Sequence, residues 1–308
     1  MRYFITGGAG FIGSHLVDAL ANKGEIVVYD NLSSGSLKFI ARHLKKKNFR
    51  FIKGDLLNKK KLIEAMESAD FIFHLAANPD ISSSVQNPSL DFKQGIEATF
   101  NVLEAMRLNK IRKIAFSSSS TVFGEPKILP TPEDYAPLAP ISSYGASKLA
   151  AEGLISAYSH LYGMTSWVFR FANVIGPRLT HGAIYDFIKK LQKNKRTLEV
   201  LGDGEQEKSY IHVKDCVEGM LFGTKYGCEK FNLFNLGTGD RMKVKDIAKA
   251  LLSEMNLTQT KISFTGGKRG WAGDVPQMIL DVSRLKKLGW QAKYNSEDAV
   301  VRTIRENI

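Results

Sequence analysis

Cysteine is nearly absent from this sequence. Its 308 residues include only two cysteines, Cys216 and Cys228, and these lack the CxxC spacing of a metal or redox motif. Such a pair supports neither a disulfide framework nor a thiolate zinc site. The sequence therefore predicts no metal centre and indicates a reducing, cytoplasmic compartment.

Long hydrophobic runs are missing as well. The apolar stretches are short and interrupted, and the N-terminal residues lack the basic, apolar and small-residue order of a signal peptide. With 44% hydrophobic and 24% charged residues, the composition is typical of a globular protein of one or two domains. We therefore expect a soluble protein without a membrane partner.

Acidic residues are fewer than basic ones, 31 against 43, so the net charge is +12. The basic residues gather in short runs such as Lys45 to Lys47, Lys59 to Lys61 and Lys189 to Arg196. These runs are neither interleaved with aromatic residues nor set on a recognition helix, so they do not favour a nucleic-acid partner. They fit solvated helix faces that attract an anionic substrate.

Short β-rich runs alternate with helical patterns in the first half of the chain. The runs are "RYFIT", "EIVVYD", "FRFIKGD", "DFIFHLAA", "IRKIAFSSSS" and "TSWVFRFAN". Unbroken hydrophobic strands that alternate with helices predict a parallel sheet covered on both faces. The predicted fold class is α/β, with a doubly wound Rossmann sheet.

The pattern changes after Asn173, where Gly-rich charged loops separate shorter elements. We predict a dinucleotide-binding domain over residues 1–175 and a smaller C-terminal α/β substrate lobe over residues 176–308, with a strand near 231–237 that rejoins the main sheet. Ligands of such sheets bind beyond the carboxyl ends of the strands. We therefore expect the functional site in the cleft between the two domains.

The stretch "RYFITGGAGFIGSHLVDAL" predicts a strand, a glycine turn and a helix. Gly7 suits the tight turn, Gly10 lets backbone N–H groups approach a pyrophosphate, and Gly13 allows close packing of helix on strand. A glycine triplet alone also fits an ordinary tight turn. Here the second strand ends in Asp30, 20 residues after Gly10, where a carboxylate can bind the adenosine ribose.

Asp30 also decides between the two nicotinamide cofactors. Its carboxylate would repel a 2′-phosphate, and the following "NLSSG" contains no arginine to bind one. The sequence therefore predicts NAD and not NADP. Asp55 ends the third strand, where it either reaches the adenine or caps the next helix.

A tyrosine and a lysine lie four positions apart in "SSYGASK", residues 142–148. Free tyrosine has a pKa of about 10. Lys148 lies one helical turn from Tyr144, and together with a nicotinamide cation it would lower that pKa by about 2 to 3 pH units. The motif alone is common, but the strand "IRKIAF" ends in the hydroxyl run "SSSSTVFG" at the same edge of the sheet. The pattern favours a proton-transfer site.

Eight motifs follow one another over essentially the whole chain: "TGGAGFIGSHL", "DNLSSG", "HLAAN", "SSSSTVFG", "YGASK", "RFANVIGPR", "GDGEQEKSYIHVKD" and "GDVPQMILD". Their order and spacing resemble the extended short-chain dehydrogenase/reductase family, and most closely its archaeal-type UDP-glucose 4-epimerases. The resemblance implies NAD-dependent 4-epimerisation of a UDP-sugar, UDP-glucose or UDP-galactose, through a transient 4-keto intermediate. It also implies a homodimer through helices near Pro88 and Tyr144.

The resemblance assigns roles to matching residues. Tyr144 would be the base and acid at the 4-hydroxyl, Lys148 would bind the nicotinamide ribose, and Ser119 would hold the same hydroxyl. The implied cofactor-binding residues are Gly7, Gly10, Phe11, Ile12, Gly13, Asp30, Asn31, Ser34, Gly35, Asp55, Leu56, Leu75, Ala76, Ala77, Ser117, Tyr144 and Lys148. The implied substrate-binding residues are Ser119, Thr121, Tyr144, Asn173, Lys208, Arg269 and Asp274. For Ser117 and Ser118 the residues themselves favour strand-end packing and capping.

The residues after Ser119 bear on the reaction. Relatives that dehydrate or decarboxylate nucleotide sugars carry a carboxylate there, whereas this chain has Ser120 and Thr121. Oxidation and re-reduction at C4 without elimination is therefore the implied chemistry. Two alternatives stay open: a nucleotide-sugar dehydrogenase or reductase with net hydride transfer, and a non-catalytic NAD-sensing protein.

Several positions depart from the family pattern. Lys208 replaces an arginine, Gln94 and Gly95 replace paired asparagines, and Arg269 lies five residues before Asp274 instead of three. The pair of Arg269 and Asp274 also fits a surface salt bridge. Met278 falls at a position that limits the sugar 2-substituent, although methionine there equally fits core filling.

Overall fold

Strands and helices alternate along most of the chain in the computed structural model, which describes residues 1–79 and 86–308. The strands are β1 (Arg2–Thr6), β2 (Glu25–Asp30), β3 (Phe49–Lys53), β4 (Phe71–His74), β5 (Lys113–Ser119), β6 (Thr165–Phe171), β7 (Asn173–Ile175), β8 (Thr197–Val200), β9 (Glu207–Lys208), β10 (Tyr210–His212), β11 (Phe231–Leu236), β12 (Met242–Lys243), β13 (Lys261–Phe264) and β14 (Gln277–Met278). The α-helices are α1 (Phe11–Leu20), α2 (Leu37–Ile40), α3 (Lys59–Ala65), α4 (Pro88–Asp91), α5 (Ala98–Leu108), α6 (Ser143–Tyr162), α7 (Ala183–Lys193), α8 (Val213–Tyr226), α9 (Val244–Glu254), α10 (Ser283–Lys287) and α11 (Ser296–Asn307).

Seven strands form the main sheet, in the order β11-β6-β5-β4-β1-β2-β3. Strands β3, β2, β1, β4 and β5 pair in parallel. Every residue of β4 is buried, as is every residue of β2 except Glu25. Strands covered on both faces have no solvent face, which explains their unbroken apolar runs. The predicted doubly wound α/β fold is confirmed.

The pairing register aligns the carboxyl ends of the central strands. Thr6 lies beside both Tyr29 and His74, and His74 lies beside Phe116. The chain therefore leaves four neighbouring strands at nearly the same level. The residues that follow at this edge are Gly7, Asp30, Leu75 and Ser117.

One core cluster lies between the main sheet and the helices α3, α5 and α6. It includes Tyr29 from the sheet, Leu62 from α3, Val102 from α5 and Ile155 from α6, each at most 1% exposed. Burial of such side chains contributes roughly 1.5–3 kcal/mol each. The cluster fixes α6 against the sheet, and α6 carries the tyrosine and lysine that the sequence singled out.

A π-helical segment, Phe92–Glu97, joins α4 to α5. It packs against α6, and a Cβ on Gly95 would lie 2.5 Å from the Ser147 Oγ atom. The Ser147 hydroxyl donates to the Tyr144 carbonyl at 2.8 Å. Gly95 thus permits a close approach of this segment to α6, where a larger residue such as asparagine would force a shift.

The chain forms two compact units, and neither is continuous in sequence. The first comprises Met1–Ser119, Ser143–Arg170 and Met220–Phe234, and the second comprises Ser120–Ser142, Phe171–Gly219 and Asn235–Ile308. The segment Ser120–Ser142 therefore belongs to the second unit although it precedes residue 175. A functional boundary near residue 175 stays a proposal.

The second unit contains three small sheets, β10-β7, β12-β9-β14 and β13-β8. Its N-terminal segment is tied to its later parts, because Thr131 and Leu280 form a parallel bridge and the Asn235 N–H donates to Glu133 at 2.9 Å. Within residues 1–79 and 86–308, no helix is both long enough and apolar enough to cross a membrane.

Candidate active site

The glycine turn after β1 is closely packed. Gly7 has a φ of +69°, and a Cβ on it would lie 2.7 Å from the Ala76 nitrogen. A Cβ on Gly13 would lie 2.1 Å from the Gly7 carbonyl oxygen. No side chain caps the start of α1, so the N–H groups of its first turn are open to an anion. The turn therefore fits the pyrophosphate of a dinucleotide.

Asp30 ends β2 beside this turn and is 8% exposed. Its carboxylate accepts the Ala9 N–H at 3.0 Å and the Leu32 N–H at 2.8 Å. Burial raises the pKa of Asp30, and the two backbone N–H groups act in the opposite direction. Each carboxylate oxygen keeps a second lone pair, so Asp30 can still accept ribose hydroxyls.

Asp55 does not cap the helix that follows it. The cap of α3 is Asn58, whose side chain accepts the Lys61 N–H at 3.1 Å. Asp55 instead accepts the Asn31 side-chain amide at 3.0 Å and the Leu57 N–H at 2.9 Å. The helix-cap alternative is therefore wrong, and Asp55 and Asn31 form a pair next to Asp30.

The other predicted cofactor residues of the first unit lie around the same strand ends. Gly35 packs on the glycine turn, since a Cβ there would lie 2.9 Å from the Ala9 carbonyl carbon. The Ala76 N–H donates to the Thr6 hydroxyl at 3.3 Å. Leu56 is buried, Ser34 is exposed, and the remaining predicted positions Ile12, Leu75 and Ala77 are partly buried. We propose that these residues hold NAD.

Tyr144, Lys148 and Ser119 converge, as predicted from the sequence. The Tyr144 and Ser119 side chains are hydrogen-bonded to each other. Lys148 is 3% exposed, and its Nζ atom donates to the Ser117 carbonyl at 2.6 Å and lies 5.7 Å from the centre of the Tyr144 ring. The phenol, the ammonium and the hydroxyl therefore occupy one site at the end of β5.

The sequence predicts a lowered pKa for Tyr144, whereas the structure raises it. Burial, followed by the charge of Asp91, raises it to about 12 against the lowering effect of the hydrogen bond with Ser119. Burial also lowers the pKa of Lys148 to about 7, against the opposing effects of Glu152 and Asp91. The expectation counted a fully charged lysine and a nicotinamide cation, and it omitted the desolvation of both side chains.

His74 is a hydrogen-bonded core residue. Its Nδ1 and Nε2 atoms lie 2.8 Å and 3.0 Å from the hydroxyls of Thr6 and Thr99. Burial, together with the positive charge of Lys148, lowers the pKa of His74 to about 3. The ring is therefore neutral near neutral pH and adds no charge to the site.

Glu152 and Arg170 are neighbours of the site that the sequence interpretation missed. Arg170 donates to Glu152 through Nε at 3.0 Å and through Nη2 at 2.7 Å, and the Ser118 hydroxyl donates to Glu152 at 2.5 Å. Arg170 and Glu152 are 2% and 5% exposed. One signal was available, since Glu152 follows Lys148 by four residues and thus lies on the same face of α6.

The predicted substrate residues of the second unit form a second cluster. Lys208 and Asp274 form a close salt bridge. Arg269 donates to the Asp274 carbonyl at 2.6 Å and pairs with Glu125 at 2.7 Å. The Asn173 side chain donates to the carbonyl of Ser209, the residue after Lys208, at 3.1 Å.

The open alternatives in this second cluster are partly decided. Arg269 and Asp274 interact through the Asp274 backbone, and the side-chain partner of Asp274 is Lys208. Met278 is 4% exposed and pairs with Lys208 in the β14–β9 register, which fits core filling.

Thr121 lies in the 3₁₀ segment Ser120–Phe123. In the described part of the chain, no three His, Cys, Asp or Glu side chains are grouped as a metal site requires.

Comparison with known proteins identifies the family. The model of the NAD dependent epimerase/dehydratase family matches residues 3–237. This chain belongs to that family. The predicted family and the predicted NAD cofactor are thereby confirmed.

Relatives of known activity are similar over nearly the whole chain. The UDP-glucose 4-epimerase of Mycolicibacterium smegmatis is 32% identical over 313 residues, which cover 99% of this chain and 97% of the relative. A solved UDP-galactose 4-epimerase is 41% identical with a TM-score of 0.89, covering 99% of this chain and 98% of that chain. The UDP-glucose 4-epimerase of Thermotoga maritima, solved with UDP-glucose, is 31% identical with a TM-score of 0.89 and the same coverage. The prediction of an epimerase is confirmed.

Proposed function

We propose that this chain interconverts UDP-glucose and UDP-galactose, with NAD as a retained cofactor. One observation carries the proposal: the Tyr144 hydroxyl is hydrogen-bonded to Ser119, and Lys148 is buried beside them. The next two residues are Ser120 and Thr121, so the segment after Ser119 offers no carboxylate for elimination. The UDP-sugar epimerases similar to this chain support the same substrate class.

The proton steps of the reaction use Tyr144 and Ser119. Ser119 holds the sugar 4-hydroxyl by a hydrogen bond, and Tyr144 removes its proton. Bound NAD would supply the hydride acceptor for C4 and the hydride donor that reduces C4 from the other face. Once the 4-keto sugar has turned, Tyr144 returns the proton to the new alkoxide, so neither protons nor electrons are gained or lost.

Lys148 provides positive charge for the phenolate form of Tyr144. Burial, with a contribution from the charge of Asp91, raises the Tyr144 pKa to about 12, which makes the phenol a poor base near neutral pH. An ammonium next to the ring favours the phenolate. Because burial lowers the Lys148 pKa to about 7, the amount of that ammonium depends on the neighbours of Lys148.

The second cluster is proposed to bind the UDP portion. Arg269 and Lys208 provide cationic donors for the diphosphate, and Asn173 provides an amide. The Asp274 carboxylate is 4% exposed and accepts from Lys208 and from the Gly270 N–H at 3.0 Å. Its place next to Arg269 supports a contact with the uridine ribose. Binding the nucleotide firmly leaves the sugar free to turn.

The function is tested by product analysis. The purified protein is incubated separately with the UDP, dTDP and GDP derivatives of glucose and galactose, and the products are identified by NMR. We expect UDP-glucose and UDP-galactose to reach the same final ratio from either side, without accumulation of reduced nicotinamide. Stoichiometric reduced nicotinamide would contradict the proposal and favour a dehydrogenase, and no conversion of any nucleotide sugar would contradict it as well.

We propose that two copies associate through α6 and through the helical run that starts at Pro88 and extends from α4 to α5. Large apolar side chains are exposed on or next to these helices: Phe92 57%, Phe100 40%, Leu108 50%, Leu161 73% and Tyr162 38%. An apolar surface of this kind is typical of a protein interface.

The unpaired cysteines support a cytoplasmic location. We propose no nucleic-acid or membrane partner.

The dimer is tested by charge insertion. We expect the wild type to sediment at about twice 34.3 kDa, and the double variant Phe100→Glu/Leu161→Glu to sediment as a monomer because two buried carboxylates oppose association. Leu44→Glu is a matched control, since Leu44 is 41% exposed on another part of the first unit and its replacement leaves the dimer intact. A dimeric double variant would place the interface elsewhere.

A further inference from the structure

Three consecutive serines of β5 contact three successive turns of α6. The Ser119 side chain is hydrogen-bonded to Tyr144, the Ser117 carbonyl accepts from Lys148 at 2.6 Å, and the Ser118 hydroxyl donates to Glu152 at 2.5 Å. Tyr144, Lys148 and Glu152 are spaced by four residues and therefore lie on one face of the helix. Glu152 thus holds the serine that lies between the two serines of the catalytic site.

Glu152 is itself held by Arg170 on β6. The guanidinium donates to both carboxylate oxygens, at 3.0 Å and 2.7 Å. Such a two-point contact fixes the orientation of both groups. Since Arg170 and Glu152 are almost fully buried, neither can leave the pair without a large desolvation cost. The carboxylate therefore has a fixed position relative to β5 and β6.

The charge of Glu152 also acts on Lys148. Within residues 1–79 and 86–308, the charged and titratable groups around Lys148 are Tyr144 and Glu152 on α6, Asp91 on α4, His74 on β4 and Arg170 on β6 beyond Glu152. Glu152 and Asp91 raise the Lys148 pKa, whereas burial lowers it. His74 is neutral and Tyr144 is protonated near neutral pH, so among the described residues the two carboxylates are the anions that favour the ammonium.

We propose that Glu152 is a positioning residue for the catalytic pair: held by Arg170, it fixes the β5 serines against α6, and its charge keeps Lys148 in the ammonium form. This role rests on the proposed function of Tyr144 and Lys148. The residue acts through its neighbours, and it needs no contact with substrate or cofactor.

The test measures the titration of Lys148 directly. Lysines are labelled with ¹³C at Cε, the Lys148 signal is identified as the one lost in Lys148→Arg, and its midpoint is followed by NMR at equal NAD content. In Glu152→Gln, which keeps the size of the side chain but removes its charge, we expect the midpoint to fall by about one pH unit or more. The high-pH limb of the kcat profile is expected to shift to lower pH by the same amount, because Lys148 then loses its charge at a lower pH.

Two control variants separate charge from structure. Ser118→Ala removes only the hydrogen bond, so kcat falls while the Lys148 midpoint stays in place. Glu133→Gln removes a buried carboxylate that pairs with Arg284 at 3.3 Å and accepts the Asn235 N–H, so stability falls without a change in the midpoint. Both controls leave the charges around Lys148 as they are in the wild type.

The outcomes are distinct from those of the epimerase test, because the midpoint is measured without turnover. An unchanged Lys148 midpoint in Glu152→Gln, together with a lower unfolding temperature, would overturn the proposal and leave a purely structural ion pair. If Glu152→Gln does not fold because Arg170 is left unpaired, Glu152→Gln/Arg170→Met removes both charges. Because loss of the Arg170 cation offsets part of the loss of the carboxylate, we expect a smaller downward shift in that variant; such a shift supports the proposal, and a midpoint at or above the wild-type value overturns it.

Discussion

Tyr144→Phe is expected to lower kcat by about a thousandfold or more while the protein keeps its NAD, because we propose that the phenol carries the general-base step, which contributes roughly 10² to 10⁴ in rate. The glycine turn and Asp30 are unchanged in this variant, so cofactor content stays at the wild-type level. Conversion of UDP-glucose is measured by NMR, and NAD is measured after the protein is denatured.

Tyr158→Phe is the matched control on the same helix. Tyr158 donates its hydroxyl hydrogen to Glu104 at 2.9 Å, so its replacement costs about 1 kcal/mol of stability. Turnover is expected to stay near the wild-type value. If Tyr144→Phe keeps a tenth of the wild-type kcat, Tyr144 is not the base. Loss of NAD from Tyr144→Phe would show instead that the phenol is needed for cofactor binding.

Gly13→Ala and Gly153→Ala are expected to change stability in opposite directions, although both replace a glycine within a helix. A Cβ added at Gly13 would lie 2.1 Å from the Gly7 carbonyl oxygen and 2.8 Å from the Gly8 Cα atom, and backbone atoms cannot rotate away. We expect the free energy of unfolding to fall by about 3 kcal/mol, as in severe overpacking. The displaced turn also loses NAD affinity.

In the described part of the chain, no atom outside the adjoining stretch of α6 lies within 4 Å of a Cβ placed on Gly153. Alanine there removes backbone freedom from the unfolded chain and gains about 0.5–1 kcal/mol. Urea unfolding of both variants gives the two free energies, and NAD binding is measured by fluorescence. A Gly13→Ala protein within about 1 kcal/mol of the wild type would show that the turn is not tightly packed.

Local sequence signals predicted most of the first unit. The turn from Gly7 to Gly13 is continuous in sequence, and its chemistry depends on residues a few positions apart. The strand runs were predicted because a parallel sheet buries both faces of each strand. Tyr144 and Lys148 were predicted as a pair because helix periodicity alone places them on one face.

Long-range contacts escaped the prediction. Glu152 lies at helical spacing, but its partner Arg170 is on β6, and only the packing of α6 on the sheet brings them together. The segment Ser120–Ser142 belongs to the second unit through contacts such as that between Glu133 and Asn235. Local sequence patterns do not predict such pairings, since they depend on which distant segments pack together in the fold.

The sequence by itself determined the family, the glycine turn and the acidic end of β2, and it carried the prediction of Tyr144 as the base, because each depends on residue type at short spacing. Only the tertiary structure decided the directions of the pKa shifts of Tyr144 and Lys148, the contacts of Asp55 with Asn31 and Leu57, and the connection from Glu152 to Ser118 on β5. Burial and long-range pairing set all three, and both arise only when distant segments pack together.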